Sequence, residues 1–133
     1  MIGPQYRPPL PMPQLTQPLR PNVVFAMARL TNRGRLANQS IATSLDWSPG
    51  LRVGFAVSGG LIVVAADPTG PRALDKRGQL FVPTTVLRSC GLHGDELVLL
   101  AALPDCQRLI LHPPAVLGRL TEAAHTAALG GER

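Results

Sequence analysis

The run Pro71-Arg72-Ala73-Leu74-Asp75-Lys76-Arg77-Gly78-Gln79-Leu80-Phe81-Val82-Pro83-Thr84-Thr85-Val86-Leu87-Arg88-Ser89-Cys90-Gly91-Leu92-His93-Gly94-Asp95-Glu96-Leu97-Val98-Leu99-Leu100 decides the fold. It reads as a short strand, a glycine turn, a second short strand and a brief helix opened by Pro83. A Gly-x-x-Gly-Asp turn follows at Gly91 to Asp95. Two apolar strands, residues 97–102 and 109–112, then complete the unit.

The preceding half of the chain has the same order. A strand over residues 23–30 leads into Thr31-Asn32-Arg33-Gly34-Arg35-Leu36, which lines up with Asp75-Lys76-Arg77-Gly78-Gln79-Leu80. At a shift of 44, Leu30, Arg33, Gly34, Leu36 and Gly50 fall on Leu74, Arg77, Gly78, Leu80 and Gly94. A helix-compatible run over 39–45 mirrors 84–90, Trp47 to Gly50 mirrors Leu92 to Gly94, and strands over 51–57 and 61–66 mirror the last two. The alignment slips by one residue near Leu45 to Trp47. Self-similarity of this kind points to a tandem duplication, with units at 23–66 and 71–112. Asp67 to Pro71 is rich in turn formers and too short for a domain linker, so the two units are expected to pack together.

The second unit resembles the AbrB/MazE/SpoVT family of small bacterial DNA-binding domains. The matching residues are Asp75, Gly78, Leu80, Pro83, Val86, Arg88, Gly91-Leu92 and Gly94-Asp95. Family members carry one such unit per chain, and two chains interlock their hairpins into a small barrel. The resemblance therefore implies a mainly β protein in which two tandem swapped-hairpin units form a pseudo-two-fold barrel from one chain. Physical grounds favour pairing as well, because a single unit of about 40 residues has too little core and too many open edges.

Composition agrees with a small globular chain. Its 133 residues are one domain's worth, 45% hydrophobic and only 4% aromatic, so the core must be aliphatic. No apolar run reaches the roughly 18 residues of a membrane span, and no signal pattern opens the chain, so no membrane partner is expected. The expected location is the cytoplasm, in association with the nucleoid. Cys90 and Cys106 make neither a disulfide framework nor a zinc set. The net charge of +5 favours a polyanionic partner, double-stranded DNA first.

Outside the two units lie two flanking segments. Residues 1–22 hold seven of the fourteen prolines and read as an extended, disordered arm carrying Arg7 and Arg20. Beyond Pro113-Pro114, residues 115–129 read as a helix ended by Gly130-Gly131, with an apolar stripe of Val116, Leu117, Leu120, Ala124 and Ala127-Ala128. That helix would dock on the barrel, pair with its copy in a homo-oligomer, or take a protein partner.

Two basic clusters suit phosphate contact and base readout: Arg29, Arg33 and Arg35 with Asn32 and Asn38, and Arg72, Lys76, Arg77 and Arg88. They are expected at equivalent places in the two units, hence on one side of a two-fold arrangement. The family resemblance implies DNA contacts from an Arg of the first strand, the residue after the turn glycine and the end of the short helix. Those positions carry over to Arg72, Arg35 and Arg88. Gln79 replaces the post-glycine Arg of the second unit, and Leu87 takes a helix position often basic in the family. Thr43 and Ser44 leave the first helix uncharged, and Gln39 replaces its opening proline. The basic set is thereby split between halves, which implies an asymmetric site or weakened DNA binding.

Catalytic chemistry is not expected. The carboxylates are scattered in turns, and His93, His112 and His125 lack partners at ligand spacing. Neither a nucleophile elbow nor a phosphate or dinucleotide loop occurs. The expectation is a non-catalytic, cofactor-free, sequence-specific transcriptional regulator. The alternatives are an antitoxin, whose C-terminal tail binds a toxin, and a protein–protein adaptor that has lost DNA.

Overall fold

The structure is a computed structural model, and it describes residues 22–37 and 40–130. The proline-rich arm read at 1–22 falls almost wholly outside the described residues, with Arg7 and Arg20, and so do Asn38 and Gln39. Among the described residues nine elements follow in order: β1 (Val24–Leu30), α1 (Ser40–Ser44), β2 (Arg52–Ser58), β3 (Leu61–Ala66), β4 (Arg72–Ala73), α2 (Thr84–Ser89), β5 (Glu96–Leu103), β6 (Arg108–His112) and α3 (Pro114–Ala128).

The strands form where apolar side chains alternate. In β5, Val98, Leu100 and Ala102 are buried, while β6 turns Leu109 and Leu111 inward and β3 turns Ile62 and Val64. A period of two places all of these on one face of the sheet. The core is aliphatic as the composition requires, with Trp47 its one buried aromatic residue among the described residues. The indole Nε1 of Trp47 donates to Gln107 Oε1 at 3.0 Å, which satisfies its one polar atom.

All six strands join one antiparallel sheet, in the order β1-β5-β6-β3-β2-β4, curled into a half-barrel. The first strand of each half pairs with the long strand of the other half: β1 with β5, and β4 with β2. The two hairpins meet at the centre through β3 and β6. There Val63 stands opposite Ile110, flanked by Ile62 opposite Leu111 and Val64 opposite Leu109. A two-fold axis through the Val63–Ile110 pair carries each flanking pair onto the other. The same operation takes Ala28 opposite Val98 onto Arg72 opposite Val53.

The open side of the half-barrel is closed by the two glycine turns. The N–H of Leu36 donates to Leu80 O at 3.0 Å, and that of Val82 donates to Gly34 O at 2.8 Å. Arg35 and Phe81 form a β-bridge in the same short ladder. Leu36 and Leu80 point into the core, where they meet Leu100 and Leu109 of the sheet around a cavity of about 20 Å³. Each half thus lines the other's interior.

The one-residue slip in the repeat lies in the helices. α1 has five residues and α2 has six. Asp46 (φ 60°) and Gly91 (φ 72°) each lead out of a helix in the left-handed region, 45 residues apart, and buried Trp47 and Leu92 follow them. The offset stays at 45 through Val53 and Val98. The Gly50–Gly94 match is therefore one residue out of register. The counterpart of Gly50 (φ 88°) is Asp95 (φ 54°), which shares its left-handed backbone.

Gly34 and Gly78 hold the same turn position, with φ of 85° and 76°, but their surroundings differ. A methyl group at Gly34 would overlap the Val82 carbonyl oxygen, whereas one at Gly78 would meet nothing within 4 Å. Gly78→Ala is expected to cost about 1 kcal/mol from backbone strain alone. Gly34→Ala is expected to cost about 3 kcal/mol or more, because strain is joined by a clash with the closing ladder. Urea denaturation of the two variants checks this, and equal losses would contradict the packing described.

Candidate nucleic-acid interface

The two basic turns are built alike. Thr31 Oγ1 accepts from the N–H groups of Arg33 (3.3 Å) and Arg35 (3.1 Å). Asp75 Oδ1 accepts from those of Arg77 (2.9 Å) and Gln79 (2.8 Å). The Gly34 N–H donates to Thr31 O at 2.9 Å, and the Gly78 N–H donates to Asp75 O at 2.8 Å. The Thr31 N–H donates to Arg35 O, and the Asp75 N–H to Gln79 O. A side-chain acceptor at the first position, and a glycine in the left-handed region at the fourth, are what this turn demands.

The closing ladder sets the distance between the turns. Gly34 lies beside Val82, four residues along the chain from Gly78, so the two turns sit on either side of the ladder. Arg33 and Arg77 are at equivalent positions on either side of the axis, as are Asn32 and Lys76, and all four are exposed. Arg35 lies nearer the axis and is half-buried. With the Gln79 amide oriented to satisfy its neighbours, its oxygen accepts from Arg35 Nη1 at 3.3 Å and its nitrogen donates to Asp75 Oδ2 at 3.1 Å. The residue that replaces an arginine in the second half thus holds the arginine of the first. Arg33, Arg35, Lys76 and Arg77 face a single acid, Asp75, within the paired turns.

The other candidates lie apart from this group. Arg29 and Arg72 are not equivalent: the counterpart of Arg29 is Ala73, and that of Arg72 is Ala28. Both clusters were expected at matching places, and for this pair the strand register corrects that expectation. Arg29 stands on the outer face of the sheet, where its Nη1 donates to Asp95 O at 3.2 Å and lies 3.5 Å from Asp95 Oδ1. Arg72 sits on the edge strand β4, with its Nη1 on Pro71 O at 3.4 Å. Arg88 is exposed in the last turn of α2, and Thr43 is its uncharged counterpart in α1.

No family model, no curated protein and no solved structure matches this chain. The site therefore rests on its own geometry. Its contact between Arg35 and Gln79 is not visible in sequence, although the equivalence of positions 35 and 79 under the repeat was its signal. Arg52, a basic residue that sequence left unassigned, is structural. Its Nε and Nη2 both donate to Gly70 O, at 3.0 and 2.8 Å, and fasten the link between the halves.

Asp75→Ala would leave the N–H groups of Arg77 and Gln79 without their acceptor. It is expected to lower stability by about 1–2 kcal/mol in chemical denaturation, with Asp75→Asn recovering part of the loss. An unchanged midpoint would show that the carboxylate does not hold the turn.

Proposed function

We propose that this protein is a non-catalytic regulator that binds double-stranded DNA in a sequence-specific way. Its frame would be two tandem swapped-hairpin units of the AbrB-like type, folded into one pseudo-two-fold body. The two-fold strand register and the crossed pairing of β1 with β5 and β4 with β2 support that frame. The observation that carries the functional reading is the pair of matched basic turns, Thr31 to Arg35 and Asp75 to Gln79, clamped side by side by one ladder. Lying on either side of that ladder, the turns would set basic side chains against the two rims of a major groove about 12 Å wide.

In this reading Arg33, Arg77 and Lys76 contact phosphates, and Arg35, held by Gln79 near the axis, reaches a base edge. A backbone ladder fixes both turns before the duplex arrives, so little ordering entropy is lost on binding. Arg72 and Arg88 flank the site, and Arg29 contributes least because Asp95 holds it on the outer sheet face. Since position 35 is arginine and position 79 is glutamine, the two halves of the DNA site would be read unequally.

The test begins with genomic fragments recovered by the purified protein, followed by fluorescence polarisation on the enriched sequence over a salt series. Affinity should fall steeply as salt rises. Changing Arg33 and Arg77 together to Ala should reduce the log–log salt slope by about 2, one for each lost phosphate contact. Arg35→Ala should relax preference at one base pair by about 1–3 kcal/mol. Affinity indifferent to salt and to the Arg33/Arg77 change would overturn the proposal.

A further inference from the structure

The two-fold axis of the sheet register has a counterpart in the closing ladder. There Leu36 stands opposite Leu80 and Arg35 opposite Phe81, so position 37 falls opposite position 79. Leu36 and Leu80 are buried, and alternation turns their neighbours to the outside. Around the axis therefore stand Arg35 and Ala37 of one half and Gln79 and Phe81 of the other, each exposed or half-buried.

Hydrogen-bond accounting gives the mismatch of Arg35 and Gln79 a role. Asp75 Oδ1 accepts from the N–H groups of Arg77 and Gln79 and shapes the turn, while Oδ2 meets the Gln79 side chain at 3.1 Å. A carboxylate only accepts, so the amide nitrogen faces Asp75 and the amide oxygen faces Arg35, whose Nη1 lies 3.3 Å away. Thr31 holds the matching place in the first turn. Its one side-chain oxygen is taken by the N–H groups of Arg33 and Arg35. The first turn thus has no second oxygen from which to build the same chain.

Arg35 and Gln79 are thereby given opposite parts. A guanidinium has five N–H donors, and yielding one to Gln79 restrains its plane while leaving donors for a two-point contact. Guanine offers the matching pair of acceptors, O6 and N7, in the major groove. Glutamine reads adenine by presenting its oxygen and nitrogen together, and those of Gln79 are already turned to Arg35 and Asp75.

We propose, on the footing of the DNA-binding reading above, that Gln79 is a positioning residue that aims Arg35 at a single guanine and leaves the mirror-related base pair unread. The operator then carries guanine on one side of its centre only, and the protein sits on it in one orientation. A frame with arginine at both places would bind either way round. A fixed orientation gives each end of the sheet its own flank of the site, Leu97 and Leu99 at one end, Arg52 and Gly54 at the other.

Selection from randomised duplexes by the unaltered chain, read by sequencing, should recover a motif with one such guanine near its centre and no preference at the mirrored position. Fluorescence polarisation on that motif then separates aiming from folding. Gln79→Met keeps the bulk and removes both polar atoms. It should lower the preference for guanine over adenine at that pair at least about fivefold, with affinity for unrelated duplex and the urea midpoint unchanged. Gln79→Arg should add a guanine preference at the mirrored position and make the motif palindromic. A mirror-symmetric motif from the unaltered chain overturns the proposal and leaves DNA binding standing. So does a Gln79→Met chain that loses affinity for all duplexes alike or for none, and so does a Gln79→Arg chain whose motif stays one-sided. A chain that enriches no duplex overturns the DNA-binding reading and this proposal with it.

Discussion

The constraint on which this structure depends is the short antiparallel ladder between residues 34–36 and residues 80–82. It joins the two halves on the side away from the sheet and brings Leu36 and Leu80 into a shared interior. Neither half, at roughly 45 residues, would bury enough surface to hold alone. Crossed pairing of β1 with β5 and β4 with β2 adds the same dependence within the sheet. Each half supplies an edge that the other needs, so few strand edges remain open and the core is common property.

That constraint also positions the chemistry. The residues closing the half-barrel are continuous with the two basic turns, so the backbone bonds that complete the fold also fix the spacing of Arg33 and Arg77. Symmetry then stops at particular side chains. Gln79 stands where the first half has Arg35 and binds that arginine, and Ala73 stands where the first half has Arg29. On the outer face, Leu97 and Leu99 at one end are answered by Arg52 and Gly54 at the other. The strand register is two-fold, and the surfaces are not.

Much of the architecture was legible in sequence because period-two alternation, turn glycines and Pro83 are local signals. The strands, both short helices and α3 fall within a residue or two of where those signals put them. Strand pairing was not legible from the residues alone, because alternation says which side chains face inward and not which strand lies alongside. The register of the repeat was misread at Gly50, since an identical glycine at Gly94 outweighed Asp95, which reaches the same left-handed backbone. Arg29 was grouped with Arg33 and Arg35 by proximity in the chain, yet pleating sends it to the outer face and to Asp95. The apolar stripe of α3 was visible, but its exposure from Glu122 onward depends on where β6 ends and the helix departs.

Native-state hydrogen exchange of the Leu36 and Val82 amides tests the central claim most directly. Both donate across the halves, so they should exchange only through global opening, with the same free energy as the amides of β5 and β6 at the centre of the sheet. Exchange of these two amides by local opening, at a free energy about 2 kcal/mol or more below that of the sheet, would show that the halves stand without their ladder and would contradict the account.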